Sequence, residues 1–375
     1  MDTKTSKKPL PLWKVLHSLR GIAILGVLLS HAASVVKFAG EHYIPTNFSV
    51  SLLWIILIQI PGYCVPLFLF LSGHFLATTS HTWKAIFNRL KKLFIPFLFW
   101  SLFAWFWNVR AFFFTFEFPE WGWTPKEFFI RLITGNTHLG YFFFVLIFQW
   151  YLLARWIVPW TKKSPAKALT IALLVQVCCS LFNYYSVFNF AGSGKEPILI
   201  LRYLFILYPF YIILGIVVGL YPKSFSEFFS RIKTIIPILS IIIFFLVLIE
   251  SEVFYNILKS SLKVKPKYAY HFSMAEWKFS YELWGLAGIF FFILLFRYKI
   301  PNSKLYKSIN SEAYPLFLLN GPTIILLNYS IQKLDINPPK GLLFFIVLGV
   351  EIFFPLLVVN IIRKRFKILK WMIGE

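Results

Sequence analysis

The sequence predicts an all-α, polytopic integral membrane protein that crosses the bilayer about ten times, as a single domain over residues 1–375 with both termini in the cytoplasm. Of its 375 residues, 58% are hydrophobic and only 14% are charged, and the mean hydropathy is +0.71. A soluble globular domain carries about 25% charged residues. A membrane-spanning helix takes about 20 residues, so ten spans leave only short connections. Any activity therefore resides within the membrane or at its two faces.

Ten apolar runs are long enough to be spans. They cover residues 12–36, 51–78, 93–114, 138–160, 168–190, 200–220, 234–255, 279–298, 311–331 and 341–362. The second run contains Pro61-Gly62 and Pro66, which predicts a kinked or broken helix whose freed backbone groups face protein or a cavity. The first run follows a basic stretch, as a signal peptide does, but it is longer than a signal h-region and contains Arg20. We expect it to be retained.

The net charge of +23 reflects topology rather than nucleic-acid binding. Basic residues cluster in short segments between the apolar runs, and about twice as many fall in segments that would be cytoplasmic as in segments that would be outside. This asymmetry predicts that both termini are cytoplasmic. It also predicts that the positive charge serves orientation in the lipid bilayer and that nucleic acid is not a partner. Cys64, Cys178 and Cys179 all lie in apolar runs, so neither a disulfide framework nor a metal site is predicted.

Two polar residues share one face of the first predicted helix. His31 follows Arg20 by 11 positions, and at about 100° per residue the two lie on one face, about 16 Å apart. An ionisable residue within a span is costly and marks either a functional site or a partnered charge. The alternative is that Arg20 extends toward the cytoplasm and His31 lies at the outer interface.

Six segments along the chain resemble, in order, the motifs of the membrane acyltransferase-3 family, whose members O-acylate surface glycans and other hydroxyl-bearing acceptors. The segments are Leu19-Arg20-Gly21-Ile22-Ala23 with Val27-Leu28-Leu29-Ser30-His31, Val65-Pro66-Leu67-Phe68-Leu69-Phe70-Leu71-Ser72-Gly73, Arg89-Leu90-Lys91-Lys92-Leu93-Phe94-Ile95-Pro96, His138-Leu139-Gly140-Tyr141-Phe142, Arg202 through Gly215, and Ala313-Tyr314-Pro315-Leu316-Phe317-Leu318. The resemblance covers about residues 12–330 and agrees with ten spans.

The resemblance implies an O-acyltransferase that moves an acyl group, most often acetyl, from cytoplasmic acyl-CoA to a hydroxyl of a cell-surface or lipid-linked carbohydrate. It also implies a bacterial cytoplasmic (inner) membrane, and acyl-CoA as a co-substrate rather than a bound cofactor. His31 would be the general base, since the pKa of histidine, about 6.5, is close to working pH. Arg20 would support the donor or its thioester, and Arg89 and Lys92 would bind CoA phosphate. Ordinary cytoplasmic positive charge is the alternative explanation for Arg89 and Lys92.

Five further polar residues are candidates for acceptor contact or for structural roles. Ser72 precedes Gly73, and close packing of small residues is favoured over a nucleophile there. His138 either lines the acceptor side or is an interfacial histidine. Glu282 either pairs with Arg202 or faces water. Tyr314 belongs to the last motif.

The sequence departs from the family pattern at several positions. His17 stands where many members have Asp, Lys92 replaces an Arg, Gly140 replaces a Trp, and Asn320 stands where many members have His; Ala313 and Phe317 also differ. The changes at 140 and 320 bear on acceptor recognition. Lys92 keeps the charge of Arg but loses its planar, bidentate fork.

Two other functions remain open from the sequence. Ten spans, a broken second helix and an intramembrane arginine also suit a transporter or polysaccharide exporter, and the acceptor could be a small-molecule hydroxyl. If the protein is an acyltransferase, a ternary complex with His31 as base is the first hypothesis, and an acyl-histidine intermediate is the second.

Overall fold

The structure is a computed structural model that describes residues 9–38, 56–110, 123–138, 140–190, 203–262, 264, 269, 272–334 and 339–375, and these residues contain helices but no strand. The helices are α1 (Leu12–Phe38), α2 (Cys64–Ala77), α3 (Trp83–Val109), α4 (Pro125–Thr134), α5 (Phe142–Lys163), α6 (Pro165–Phe190), α7 (Pro209–Leu220), α8 (Pro222–Ile232), α9 (Ile236–Asn256), α10 (Phe279–Phe296), α11 (Lys304–Ser311), α12 (Ala313–Lys333) and α13 (Lys340–Arg365). A 3-10 segment, Lys367–Ile373, follows α13.

The predicted all-α, polytopic architecture is confirmed. Within the described part of the chain, eight helices are long and apolar enough to cross a membrane; they are α1, Ile56–Ala77, α3, α5, α6, α9, α10 and α13. α7 and α8 meet the same criteria together and are bent by 111° where they join. α12, with 21 residues, occupies the ninth predicted run. About ten spans therefore fit the structure.

One face of α9 shows how the bundle meets lipid. Ile238, Ile241, Phe245 and Ile249 are all more than half exposed, and their spacing of three to four residues places them on one side of the helix. In water such a stripe would be an aggregation hazard. In a bilayer it is the surface that the hydrocarbon solvates.

The second span is broken where its prolines predict. A 3-10 turn, Ile60–Tyr63, separates the start of the span from α2. In this turn the backbone N–H of Cys64 donates to the carbonyl of Pro61, so the carbonyl of Ile60 lacks the partner that an α-helix would give it. Trp284 of α10 donates its indole N–H to the carbonyl of Ile60 at 3.1 Å. The freed backbone thus faces protein, as expected.

α2 and α7 pack with their backbones in direct contact. A side chain at Gly73 would overlap the carbonyl of Ile212, and a side chain at Gly215 would overlap the carbonyl of Phe70. Each glycine lets the other helix approach, which is the small-residue packing found between membrane helices. The interpretation of Ser72-Gly73 as a packing element agrees with this contact.

α1 is the central helix of the bundle. Leu16, Leu19 and Leu28 along it are fully buried, and it contacts α2, α11, α12 and α13. Near its N-terminal end, the backbone N–H of Gly21 donates to Asn310 Oδ1 at 2.8 Å. This packing on several sides fixes the position of the polar face that carries Arg20 and His31.

The orientation in the membrane can be tested by labelling single cysteines in a variant whose three native cysteines are serine. We expect Lys259→Cys to react with a membrane-impermeant maleimide from outside intact cells, and Lys367→Cys only after permeabilisation, because the basic residues are concentrated in the segments assigned to the cytoplasm. Both side chains are exposed in the structure. Labelling of both from the same side would contradict a topology that places these segments on opposite faces.

Candidate active site

His31 lies in a small cavity of about 130 Å³ toward the C-terminal end of α1. We call it the His31 cavity. Its walls include Ser30, His31, Ser34, Pro61, Cys64, Phe68, Gly140, Phe143, Glu276, Tyr281 and Phe317. Pro61 lies in the break before α2, and Cys64 is the first residue of that helix. The broken span therefore supplies one wall of the cavity.

The orientation of the His31 ring is set by a hydrogen bond across the bundle. His31 Nδ1 is bonded to Asn320 Oδ1 of α12. An amide oxygen can only accept, so Nδ1 carries the proton and Nε2 is the basic nitrogen. The polar partner of His31 thus leaves the ring in the tautomer that a general base requires.

Gly140 lies directly against the imidazole. Its φ is +81°, a conformation that favours glycine. A Cβ there would lie 3.2 Å from His31 Cε1 and 3.5 Å from Nε2. The family motif has a tryptophan at this position; with this φ any residue other than glycine is strained, and its Cβ would already press on the imidazole. Gly140 therefore shapes the space around the basic nitrogen.

Three phenylalanines form a layer in the wall of the His31 cavity. The rings of Phe68, Phe143 and Phe317 come from α2, α5 and α12, and their centroids are 5.6 to 6.0 Å apart. Phe317 precedes Asn320 by almost one helical turn, so this layer lies on the side of the cavity toward the N-terminal end of α12. The cavity is thus narrow and apolar on that side, with its polar groups elsewhere.

A carboxylate lines the same cavity and was not singled out from the sequence. Glu276 precedes α10, and Tyr208 donates its hydroxyl to Glu276 Oε2 at 3.4 Å. In the sequence it is one of several acidic residues in a segment assigned to the outside. Only the fold brings it to His31.

At the other end of the bundle, Lys92 lines a groove of about 380 Å³. We call it the Lys92 groove; its walls include Asn88, Lys91, Lys92, Pro96, Trp371 and Glu375. Arg89 is not among the described residues that line it, because its guanidinium turns back and donates to the carbonyl of Ser80 at 3.1 Å. The structure therefore pairs Lys92 with Lys91 in this groove instead of Arg89.

The side of the Lys92 groove that carries Glu375 is held by ion pairs. Arg363 forms a bidentate pair with Glu312, with distances of 2.6 and 2.8 Å, and it also bonds to Glu375. Lys370 lies 3.9 Å from the Glu375 carboxylate. Arg363 therefore has two carboxylate partners in the structure, Glu312 and Glu375.

Arg20 is half-buried on α1, and its Nε donates to the carbonyl of His17 at 3.2 Å. That carbonyl lies one turn toward the N-terminus of the same helix. Arg20 is not among the described residues that line the His31 cavity or the Lys92 groove. Arg20 and His31 lie on the same helix, as predicted. Among the described residues, however, no cavity joins their two side chains.

His138 lines a third cavity, an open groove of about 500 Å³ that we call the His138 groove. Its walls include Asn108, Trp123, Arg131, Asn136, Thr137, His138, Gly321 and Ile324. The His138 Nε2 bonds to the carbonyl of Trp100 at 2.9 Å. Burial lowers the pKa of His138 to about 4, so the ring is neutral at physiological pH.

The His138 groove and the His31 cavity lie on neighbouring parts of the same two segments. Gly321 packs against His138, whereas its neighbour Asn320 holds His31. Similarly, His138 lines the groove and Gly140, two residues later, touches His31. The residues that line the His138 groove are therefore close neighbours, along both segments, of the residues that contact His31.

Ser72 and Tyr314 lie away from His31. Ser72 is half-buried and is not among the described residues that line the His31 cavity. Tyr314 donates its hydroxyl to the carbonyl of Leu93 at 3.4 Å and packs against Gly374. It therefore lies near the Lys92 groove, which agrees with a structural role and not with acceptor contact beside His31.

Glu282 is buried in α10 and accepts a hydrogen bond from the Ser180 hydroxyl at 2.6 Å. This contact does not support the alternative that Glu282 faces water. Its proposed partner Arg202 lies outside the described residues. The pairing of Glu282 with Arg202 therefore stays a prediction.

The sequence interpretation also missed a buried acid in the last span. Glu351 of α13 is fully buried. An ionisable residue within a span marks a functional site or a partnered charge. That signal is present in the sequence for Glu351, as it is for Arg20. Among the described residues, no group of three or more His, Cys, Asp or Glu side chains could hold a metal ion.

A polytopic helical bundle that holds a histidine by one nitrogen in a small intramembrane cavity defines a candidate membrane enzyme with a positioned base. A family model described as an acyltransferase domain, that of the acyltransferase-3 family, matches residues 13–363. The chain therefore belongs to this family and is a membrane acyltransferase. The match extends the resemblance seen in the sequence to nearly all of α13. Among curated proteins and solved structures, none matches the chain.

Membership of this family favours an enzyme over the transporter that the sequence left open. The match covers both the segment with His31 and the segment with Asn320. Both residues thus belong to the acyltransferase domain.

The role of Gly140 can be tested with Gly140→Ala. We expect kcat for acyl transfer to fall by about tenfold or more, because a methyl group 3.2 Å from His31 Cε1 displaces the ring and misplacing a catalytic group by about 1 Å can cost about 100-fold. The left-handed backbone would also be strained by about 1–2 kcal/mol. Gly349→Ala is the control, because a Cβ at Gly349 meets no atom within 4 Å. Unchanged kcat in a stable Gly140→Ala protein would show that this contact does not position His31.

Proposed function

We propose that this protein transfers a short acyl group, acetyl by family analogy, from cytoplasmic acyl-CoA to a hydroxyl of a cell-surface or lipid-linked carbohydrate. The observation that carries the proposal is His31, held by Asn320 in the tautomer of a base, within a chain that belongs to an acyltransferase family. By the same analogy, the membrane is the bacterial cytoplasmic (inner) membrane. The proposed partners are the acyl-CoA donor, the carbohydrate acceptor and the bilayer.

The reaction assigns one proton transfer to His31. Its Nε2 takes the proton of the acceptor hydroxyl while that oxygen attacks the thioester carbonyl. The tetrahedral intermediate collapses, the carbon–sulfur bond breaks, and the CoA thiolate takes the proton back from the imidazolium. The products are the acyl ester and CoA, and the histidine returns to its starting state. No covalent enzyme intermediate is required.

The size of the His31 cavity supports a short acyl group. Its volume is about 130 Å³, and Phe68, Phe143 and Phe317 close it with packed rings. Lengthening the acyl chain would require these rings to move, and close-packed interiors resist such overpacking. An acetyl group needs the least displacement.

The Lys92 groove supports an anionic donor at the other end of the bundle. Lys91 and Lys92 present two ammonium groups in its wall, and lysine binds phosphate as a point charge. Arg20 lies on α1 between this end and His31 and remains the proposed support for the donor or its thioester. Arg89 has a weaker claim, because it is bonded to Ser80 outside the groove.

The His138 groove supports a carbohydrate acceptor. Asn108 and Asn136 provide amide groups that both donate and accept hydrogen bonds, as sugar hydroxyls require. Trp123 adds an aromatic face, over which the Arg131 guanidinium lies at 4.6 Å. Groups of this kind in a concave site fix the orientation of a polar ligand.

The proposal can be tested by mass spectrometry of surface carbohydrate from cells with and without the gene. The expected result is one acetyl mass increment that depends on the gene. Purified protein in nanodiscs should also prefer acetyl-CoA to longer acyl-CoA donors when labelled acyl groups are followed into that carbohydrate. An unchanged carbohydrate, or an increment of a long acyl chain, would overturn the acceptor or the donor respectively.

His31→Ala should abolish acyl transfer and leave membrane abundance nearly unchanged, because a positioned base contributes roughly 10²–10⁴-fold to the rate. The assay follows labelled acyl groups into product, with the purified variant at saturating substrates. His81→Ala is the matched control, since His81 bonds to the carbonyl of Leu76 away from the cavity. If the His31 variant retains substantial transfer, the base lies elsewhere.

Neutralising Lys91 and Lys92 with glutamine should raise KM for acyl-CoA by about tenfold for each residue, since a hydrogen bond to a charged group contributes about 1.5–3 kcal/mol. The value of kcat should change less, because the lysines bind the donor equally in the ground state and in the transition state. Lys92→Arg should retain affinity or improve it through a bidentate contact.

The matched control is Lys162 with Lys163, an exposed basic pair at the end of α5. Neutralising it should leave the affinity for acyl-CoA unchanged. Equal effects from the two pairs would show that Lys91 and Lys92 act only as topology charges.

A further inference from the structure

Glu351 is a fully buried acid within a membrane span, and the proposed reaction does not use it. Its helix, α13, packs against both α1 and α12, the helices that carry His31 and Asn320. An acidic residue in this position is costly for the protein to maintain. Its surroundings should therefore explain its presence.

Asn320 is bonded to the base and lies near Glu351. The Asn320 amide oxygen accepts from His31 Nδ1, and the Asn320 side chain lies close enough to the Glu351 carboxyl group to interact with it. Asn320 Nδ2 and both Glu351 oxygens are buried, and none of the three has a hydrogen-bond partner within the described ranges. The unsatisfied donor and the unsatisfied acceptors thus lie on two helices that pack together, α12 and α13. Asn320 itself is only 1% exposed, so water does not readily substitute.

With its oxygen bonded to His31 Nδ1, the Asn320 amide has its NH₂ left for the Glu351 carboxyl group. A carboxyl oxygen that accepts from this NH₂ keeps the amide oxygen directed at His31. If the amide turned over, its NH₂ would face His31 Nδ1 and its oxygen would face the carboxyl group. The imidazole proton would then have to move to Nε2, and the nitrogen that faces Gly140 would no longer be basic.

We propose that Glu351 is a positioning residue, which fixes the orientation of the Asn320 amide and through it keeps the His31 proton on Nδ1. Glu351 does not touch the substrates in this arrangement. It determines which nitrogen of His31 is available as the base. The inference rests on the proposed role of His31, but the state of the His31 ring can be measured without any turnover.

The first measurement is nitrogen NMR of protein labelled with ¹⁵N-histidine in nanodiscs. The chain has seven histidines, and comparison with His31→Asn identifies the resonances of His31. Wild-type protein should show His31 protonated on Nδ1. Glu351→Leu, which removes the acceptor at similar volume, should move the proton partly or fully to Nε2, and Glu351→Gln should keep it on Nδ1 because its amide oxygen still accepts.

The second measurement is the kinetics of the same variants. Glu351→Leu should lower kcat by roughly 10- to 100-fold, with little change in KM for acyl-CoA, because molecules whose His31 proton moves to Nε2 lose the roughly 10²–10⁴-fold contribution of a general base. Glu351→Gln should restore most of the activity. Asn320→Leu combined with Glu351→Leu should cost no more than either alone, because residues that act through one another are not additive.

Thr323→Val is the matched control. Thr323 is buried on α12, one turn beyond Asn320, and bonds only within its own helix among the contacts described. It should change neither the His31 tautomer nor kcat by more than about twofold, within the range of an independent site.

The outcomes separate the two proposals. A wild-type His31 protonated on Nε2, or a Glu351→Leu protein whose tautomer and kcat match those of Thr323→Val, overturns the positioning role. If Glu351→Leu does not fold, the wild-type tautomer and the Asn320→Leu spectrum still decide. A wild-type protein with the expected tautomer but without acyl transfer would overturn the proposed function and leave the His31–Asn320–Glu351 arrangement intact.

Discussion

The hydrogen bond between His31 and Asn320 joins two helices whose residues are 289 positions apart in the chain. A polar group inside a bilayer needs a partner, because no water is available to replace one. Apolar packing holds α1 against α12, and this bond sets how the polar side chains of the two helices meet; the packing of α13 against both helices then buries Glu351 near them. The tautomer of the histidine and the orientation of its ring toward Gly140 depend on this contact.

Local features of the fold could be predicted from the sequence because their causes are local. The lengths of the apolar runs predicted the spans, and Pro61-Gly62 with Pro66 predicted the break before α2. The neighbours of His31 could not be predicted in this way. Glu276 and Asn320 are brought to His31 by tertiary packing. Arg89 and Lys92 lie on the same helix, but the Arg89 side chain turns back to Ser80 while Lys92 lines the groove. Helix spacing does not determine such a difference in side-chain direction.

Two departures from the family motifs meet at one histidine. From the sequence, the glycine at 140 and the asparagine at 320 concern recognition of the acceptor. In the structure, Gly140 packs on the imidazole and Asn320 binds its Nδ1. A tryptophan at 140 would be strained by the positive φ, and its Cβ would press on the imidazole, so both positions have to be considered together with the base. The altered residues thus bear on the geometry of catalysis as directly as on specificity.

The ion pairs around Arg363 affect how the Lys92 groove responds to salt. Glu375 lies in the same wall as Lys91 and Lys92 and is bonded to Arg363. Arg363 and Lys370 already compensate that carboxylate, so an anion that enters the groove meets chiefly the charge of the two ammonium groups. Both lysines are exposed, and dissolved ions screen exposed charges over distances of about 8–10 Å. Anion binding in this groove consequently weakens as the ionic strength rises, while the ion pairs keep the wall beside the lysines from neutralising them.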